Sequence, residues 1–143
     1  YTTQYDFAGR KLRVMHRQQK AGANVRFIRE LTKYTYDAAG RVTTLTKKIG
    51  TDPEQVIATN VYNELGQLKR KTLGNGVEKE DFEYNIRGWL LGANRAYVKG
   101  DSTRKFGYDL GYDNPVSVMP PGGYYPQYNG NIGGMTWRSA GDN

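Results

Sequence analysis

The sequence predicts a mostly β chain of antiparallel β-hairpins that form a curved or wound sheet. Three observations predict it. Tyrosine supplies 12 of 143 residues and Gly reaches 18, the balance of short strands, tight turns and rings packed on a half-buried sheet. Val, Thr, Tyr and Ile fall in short segments bounded by Gly, Asn, Asp and Pro, with no apolar i, i+3, i+4, i+7 run of helical length. Third, the pattern Tyr, Asp or Asn, two residues, Gly occurs four times.

The four copies are "YDFAG" at Tyr5, "YDAAG" at Tyr36, "YNELG" at Tyr62 and "YNIRG" at Tyr84. Random placement of 12 Tyr, 18 Asp or Asn and 18 Gly would yield roughly 0.2 copies. The motif is therefore a repeat. Asp6, Asp37, Asn63 and Asn85 are placed to bond their own downstream backbone in an Asx-turn. Gly9, Gly40, Gly66 and Gly88 supply positive φ without a Cβ penalty, and the two residues between sit at the tip. Each tyrosine ends an incoming strand, and the outgoing strand begins near Val42, Leu68 or Leu90, two residues past the glycine. The copy at Tyr5 departs from this register, with Lys11 at that place and Leu12 one later.

Between the motifs, "KAGAN" (Lys20 to Asn24), "GTDPE" (Gly50 to Glu54), "GNG" (Gly74 to Gly76) and "KGDS" (Lys99 to Ser102) read as hairpin turns. "KLRVMHR" alternates Leu12, Val14 and His16 against Lys11, Arg13, Met15 and Arg17, so its basic residues share one side. Its expected partner is "NVRFIREL", with Val25, Phe27 and Leu31 on one face; "VEKEDFEY" sets Phe82 beside Tyr84. Residues 1–107 thus hold about four hairpins. Residues 108–143 form a Gly/Pro/Tyr-rich irregular segment of the same unit, with four of the five prolines. There Pro120-Pro121 reads as extended and Gly122-Gly123 as a turn, and a further strand is expected near Tyr128 to Met135, leaving the main sheet.

In "KYTYDAAGRVTTL" the chain resembles the YD repeat of RHS proteins, roughly Arg-Tyr-x-Tyr-Asp-x-x-Gly-Arg-Leu, with Lys33 in place of the Arg and Val42 in place of the Leu. "FGYDLGYDNP" through "QYNGNIGGMTWRSAGD" also resembles the region ahead of the last repeats in large bacterial RHS proteins. The resemblance covers essentially the whole chain. It implies hairpins wound into a hollow shell, as in toxin-complex shells and the similar teneurin barrel, enclosing a C-terminal cargo domain. It implies secreted or cell-surface localisation, and partners in neighbouring repeats and the enclosed cargo. The self-cleaving aspartate motif that often ends such shells is not found. Tyr1 at the start and the flexible "RSAGDN" end read as a segment of a longer polypeptide, whose cut sheet edges would self-associate.

No enzymatic role, cofactor or metal is expected. The chain has no Cys, which removes disulfides, Cys nucleophiles and thiolate metal sites. The single histidine, His16, has no Ser or Asp at a meaningful spacing. Asp101, Asp109, Asp113 and Asp142 lack the EF-hand order and are accounted for by Asx-turns. No run of about 18 apolar residues is present to span a membrane as a helix. The net charge of +7 lies in residues 1–50, with 11 Lys/Arg against 3 Asp/Glu. Nucleic-acid contact is outweighed there by outward charges that solvate alternating strands, with no recognised binding module alongside. The main alternative is a carbohydrate-binding β module in which Trp89, Tyr124, Tyr125 and Trp137, with Tyr97 and Tyr128, stack on sugar faces. Against it, rings of a repeat that cannot bury its own face pack on neighbouring hairpins.

Overall fold

The computed structural model describes residues 1–20, 26–100, 104–114 and 124–141. Ten strands follow one another: β1 (Thr2–Tyr5), β2 (Lys11–Lys20), β3 (Arg26–Tyr36), β4 (Val42–Ile49), β5 (Gln55–Tyr62), β6 (Leu68–Leu73), β7 (Glu78–Tyr84), β8 (Leu90–Ala93), β9 (Phe106–Gly111) and β10 (Gly134–Ser139). A one-turn helix, α1 (Arg95–Val98), lies between β8 and β9. The strands form one antiparallel ten-stranded sheet in the order of the sequence, β1 to β10. Every strand pairs only with its neighbours in the chain. The four Tyr-Asx motifs occupy every second connection, and each motif tyrosine is the last residue of its strand.

By contacts the chain divides into two compact units, Tyr1–Val61 with Lys71–Val77, and Tyr62–Arg70 with Glu78–Asn143. In the first unit the alternation of β2 holds. Leu12, Val14 and His16 are half-buried, while Lys11, Arg13, Met15 and Arg17 are exposed. The expected partner is the right one: β2 pairs with β3, with Val14 opposite Thr32 and His16 opposite Glu30. Tyr1 stacks on His16 at 4.4 Å with ring planes 3° apart. The only buried apolar side chain described in this unit is Ala58 on β5.

Burial concentrates in the second unit, where Ala93, Asn94, Tyr97, Val98, Asp109, Leu110 and Tyr112 are buried around β8, α1 and β9. Asn94 joins these elements through its side chain. Its Oδ1 accepts from the Asp81 backbone N–H at 2.9 Å and its Nδ2 donates to the Phe106 carbonyl at 2.8 Å. The amide satisfies backbone groups that a strand ending in a helix leaves open.

Two expectations need correction. The last strand is β10 at Gly134–Ser139 rather than 128–135, and it does not leave the sheet: all six of its residues pair with β9, from Gly134 opposite Gly111 to Ser139 opposite Phe106. Asp109 sits in no Asx-turn; it lies within β9, wholly buried. Residues 21–24 of the turn that follows Lys20, Val25, Asp101 and Ser102 of the "KGDS" turn, Pro120 to Gly123, and Asp142 lie outside the described residues.

Candidate functional site

The four motifs close into turns with one geometry. The amide of the Asx residue donates to the carbonyl four residues on, at 2.9 Å for Asp6, 3.0 Å for Asp37, 2.9 Å for Asn63 and 3.0 Å for Asn85. The amides of Gly9, Gly40, Gly66 and Gly88 donate back to the Asx carbonyl, and their φ values are 79°, 80°, 81° and 81°. The Asx side-chain Oδ1 accepts from the amide four residues on: Arg10 at 2.8 Å, and Arg41, Gln67 and Trp89 at 2.9 Å each. The copy at Tyr5, whose sequence register departs, makes the same turn, with Tyr5 opposite Lys11 as Tyr36 is opposite Val42 and Tyr84 opposite Leu90. The backbone of the turn sets that register, so a lysine is accepted where the other copies carry an apolar residue.

In three copies the second Asx oxygen or nitrogen meets the side chain of the residue after the glycine. Asp6 and Asp37 accept from Arg10 Nε at 2.6 Å and Arg41 Nε at 2.7 Å. Asn63 instead donates to Gln67 Oε1 at 2.8 Å. In these three copies acid goes with arginine and amide with amide; in the fourth, Asn85 is followed by Trp89, and it is the Trp89 backbone N–H that its Oδ1 holds. The Arg10 backbone N–H, and then its guanidinium, outweigh desolvation and hold the Asp6 carboxyl below its ordinary value; Arg41 does the same to Asp37. A depressed carboxylate stabilises the fold above the ordinary value of 3.8, and the contribution is lost as pH falls through the lower folded value. Asn63 and Asn85 carry no such dependence. Asp37→Asn is therefore expected to flatten the acid limb of a plot of urea midpoint against pH; an unchanged acid limb would contradict this source of acid sensitivity.

The tyrosines bind successive turns to one another. Tyr36 Oη donates to the Lys11 carbonyl at 2.6 Å and Tyr84 Oη to the Leu68 carbonyl at 3.0 Å. Both acceptors lie two residues past the glycine of the preceding turn. The residue one past that glycine approaches the next one: an ideal Cβ on Gly40 would lie 3.2 Å from Arg10 Nη1, and on Gly88 3.4 Å from Gln67 Nε2. Arg10 also covers the Tyr36 ring, 5.2 Å from its centroid. Burial raises the Tyr84 hydroxyl above its ordinary pKa, so it remains a donor. Tyr62 ends β5 half-buried; Tyr5, on the first strand of the order, is 52% exposed. Gly40→Val is expected to destabilise by more than about 1 kcal/mol, because a β-branched residue resists positive φ. Unchanged thermal unfolding would contradict the turn.

A fifth tyrosine makes the same hydroxyl bond without the full motif. Tyr112 Oη donates to the Leu90 carbonyl at 2.8 Å, again two residues past a turn glycine, Gly88. Asp113 follows it, but Val116 stands where glycine is required. Gly130, with φ 92°, lies against the Trp89 ring, where its Cβ would be 3.1 Å away. It takes the place that Gly40 and Gly88 take against Arg10 and Gln67. Gly130 stands 18 residues after Tyr112, where the motif glycines stand four after theirs. The Tyr-Asp dipeptide at a repeat-like distance from Tyr84 was the available signal.

No protein-family model matches the chain, and no curated protein matches it. Its site is therefore read from geometry.

The aromatic residues proposed for sugar stacking divide into two groups. Trp89 packs on Tyr112, ring centroids 5.1 Å apart, beneath the Arg87 guanidinium at 5.0 Å. Tyr124 Oη donates to the Tyr112 carbonyl at 2.7 Å. These two gather around the fifth tyrosine. Tyr125 and Trp137 are 72% and 55% exposed, and Tyr128 is exposed as well. Tyr97 is buried, with Arg138 over its ring at 4.9 Å.

The remaining polar cluster is ionic. Arg95 Nε donates to Asp109 Oδ1 at 2.6 Å, and Arg95 Nη1 donates to Glu83 at 3.0 Å. Burial disfavours the Arg95 charge, but the Asp109 hydrogen bond and the two carboxylates outweigh it and hold the pKa above its ordinary value. Asp81 is held by Arg70 and by Arg104 Nη2 at 2.7 Å, and Asp113 by Arg87 at 3.3 Å. These acids are committed to guanidinium groups. The cluster ties β7 to β9.

Proposed function

We propose that the chain is a non-enzymatic structural segment of an RHS-type YD-repeat shell. In this reading its hairpins form part of a curved wall that encloses or presents another domain of the parent polypeptide, at the cell surface or outside the cell. The observation that carries the reading is the repetition of one turn at one register, with tyrosine hydroxyls bonding back to the carbonyl two residues past the preceding turn glycine. Such a turn gives each hairpin a fixed relation to the one before it, which is what a repeat needs when no copy buries its own face. The motif residues spend their polar atoms on each other rather than on a substrate. Neighbouring repeats are their partners.

Electron cryo-microscopy of the parent polypeptide tests the reading. The expected result places this segment in the wall of a hollow β shell with a domain inside; a segment standing apart from any enclosing wall would refute it. The exposure of Tyr125 and Trp137 favours a second reading, a carbohydrate-binding face. Saturable binding of a neutral oligosaccharide that is lost in Trp137→Ala would put that reading first.

A further inference from the structure

The positive charge of the first unit is segregated by strand register. On one face of the β2–β3 hairpin, Arg13 lies opposite Lys33, Met15 opposite Leu31, Arg17 opposite Arg29 and Gln19 opposite Phe27. Directly opposed side chains sit close enough that like charges destabilise the pair. The Arg13–Lys33 pair is relieved by Glu54, which accepts from Lys33. The Arg17–Arg29 pair has no such relief. Among the described residues no carboxylate pairs with Lys11, Arg13, Arg17 or Arg29, and all four are exposed. On the opposite face Lys47 is neutralised by Glu30 at 2.8 Å. The fold keeps an unfavourable cationic arrangement on one face while balancing the other.

We infer that this exposed face of β2 and β3 binds single-stranded nucleic acid. Lys11, Arg13 and Arg17 alternate along one strand, so successive rows are about 7 Å apart. An extended anionic backbone lying across them meets cations on both strands. The charge calls for a polyanion, and the stacked pair identifies its class. The Arg17 guanidinium lies over the Phe27 ring at 4.1 Å, and Phe27 is 47% exposed. That pair is a flat platform for an unstacked base, which a sulfated sugar chain does not use and a duplex does not present. Met15, 42% exposed, adds an apolar contact in the next rows. The inference is independent of the shell reading.

The test is fluorescence anisotropy of a labelled oligothymidylate titrated with the whole chain at several salt concentrations. Four unpaired cations predict that the logarithm of affinity falls with the logarithm of salt at a slope of about −3. Arg29→Glu is expected to reduce the slope by about 1 and weaken binding, while raising the thermal midpoint, because Arg17 then faces an opposite charge. A variant that is more stable yet binds less well cannot owe its loss to unfolding. Phe27→Leu is expected to weaken binding at least about fivefold with the slope unchanged. Absence of binding at low salt overturns the inference. So does an affinity unaffected by either substitution, or heparin or duplex DNA binding more tightly than the oligothymidylate.

Discussion

Asp109→Ala is expected to destabilise the protein by about 3 kcal/mol, the cost of removing one partner from a buried ion pair. Asp109 is wholly buried, and its carboxylate holds Arg95 Nε at 2.6 Å. Among the described residues the guanidinium then keeps the carboxylate of Glu83, whose side chain is 53% exposed. The charge brought into the sheet by Arg95 would then be poorly compensated, while a cavity opens in β9. Asp109→Asn keeps a hydrogen-bond acceptor and much of the volume, so its loss should be smaller. Urea denaturation of both variants checks this. A loss under about 1 kcal/mol for the alanine variant would show that the pair is no stronger than a surface one.

Gly92→Ala is expected to cost at least about 3 kcal/mol, combining backbone strain with a steric conflict. Gly92 has φ 151°, and an ideal Cβ would lie 2.2 Å from the Tyr108 carbonyl oxygen, with Arg95 Cγ at 3.0 Å. The nearest obstacle is backbone in the paired strand, so β8 and β9 must separate. Gly92 is also the register partner of Asp109. The two substitutions therefore disturb one place, and the double variant should lose less than the sum of the singles. Full additivity would place the strain of Gly92 outside the Asp109 pairing.

The turns were legible because their chemistry is local. Residues Tyr36 to Arg41 carry within six positions every group that closes the loop, and each motif tyrosine proved to be the last residue of its strand. Alternation in Lys11 to Arg17 was legible for the same reason, since a period of two needs no knowledge of the partner strand. The tyrosine hydroxyl bonds were not, because Tyr36 and Lys11 meet only after two strands have paired. The fifth tyrosine was hidden because no glycine stands four residues after it. Asp109 was misread as a turn residue because its neighbours "FGYDLGYDN" are rich in turn formers; the partner that buries it, Arg95, is 14 residues away. Nor did the sequence reveal that Trp89 and Tyr124 would pack around Tyr112, because that depends on where the long β9–β10 connection returns.

The sequential order of the ten strands has a kinetic consequence. With every strand paired to its neighbour along the chain, the pairing requires only the closure of short loops and two longer ones, β8–β9 and β9–β10, and the contact order is low for an all-β topology. Such a sheet should form hairpin by hairpin as the polypeptide leaves the ribosome, each new pair adding to an edge already present. Folding would then keep pace with synthesis, and at any moment the exposed liability would be the β1 edge and one growing edge rather than a set of strands awaiting distant partners.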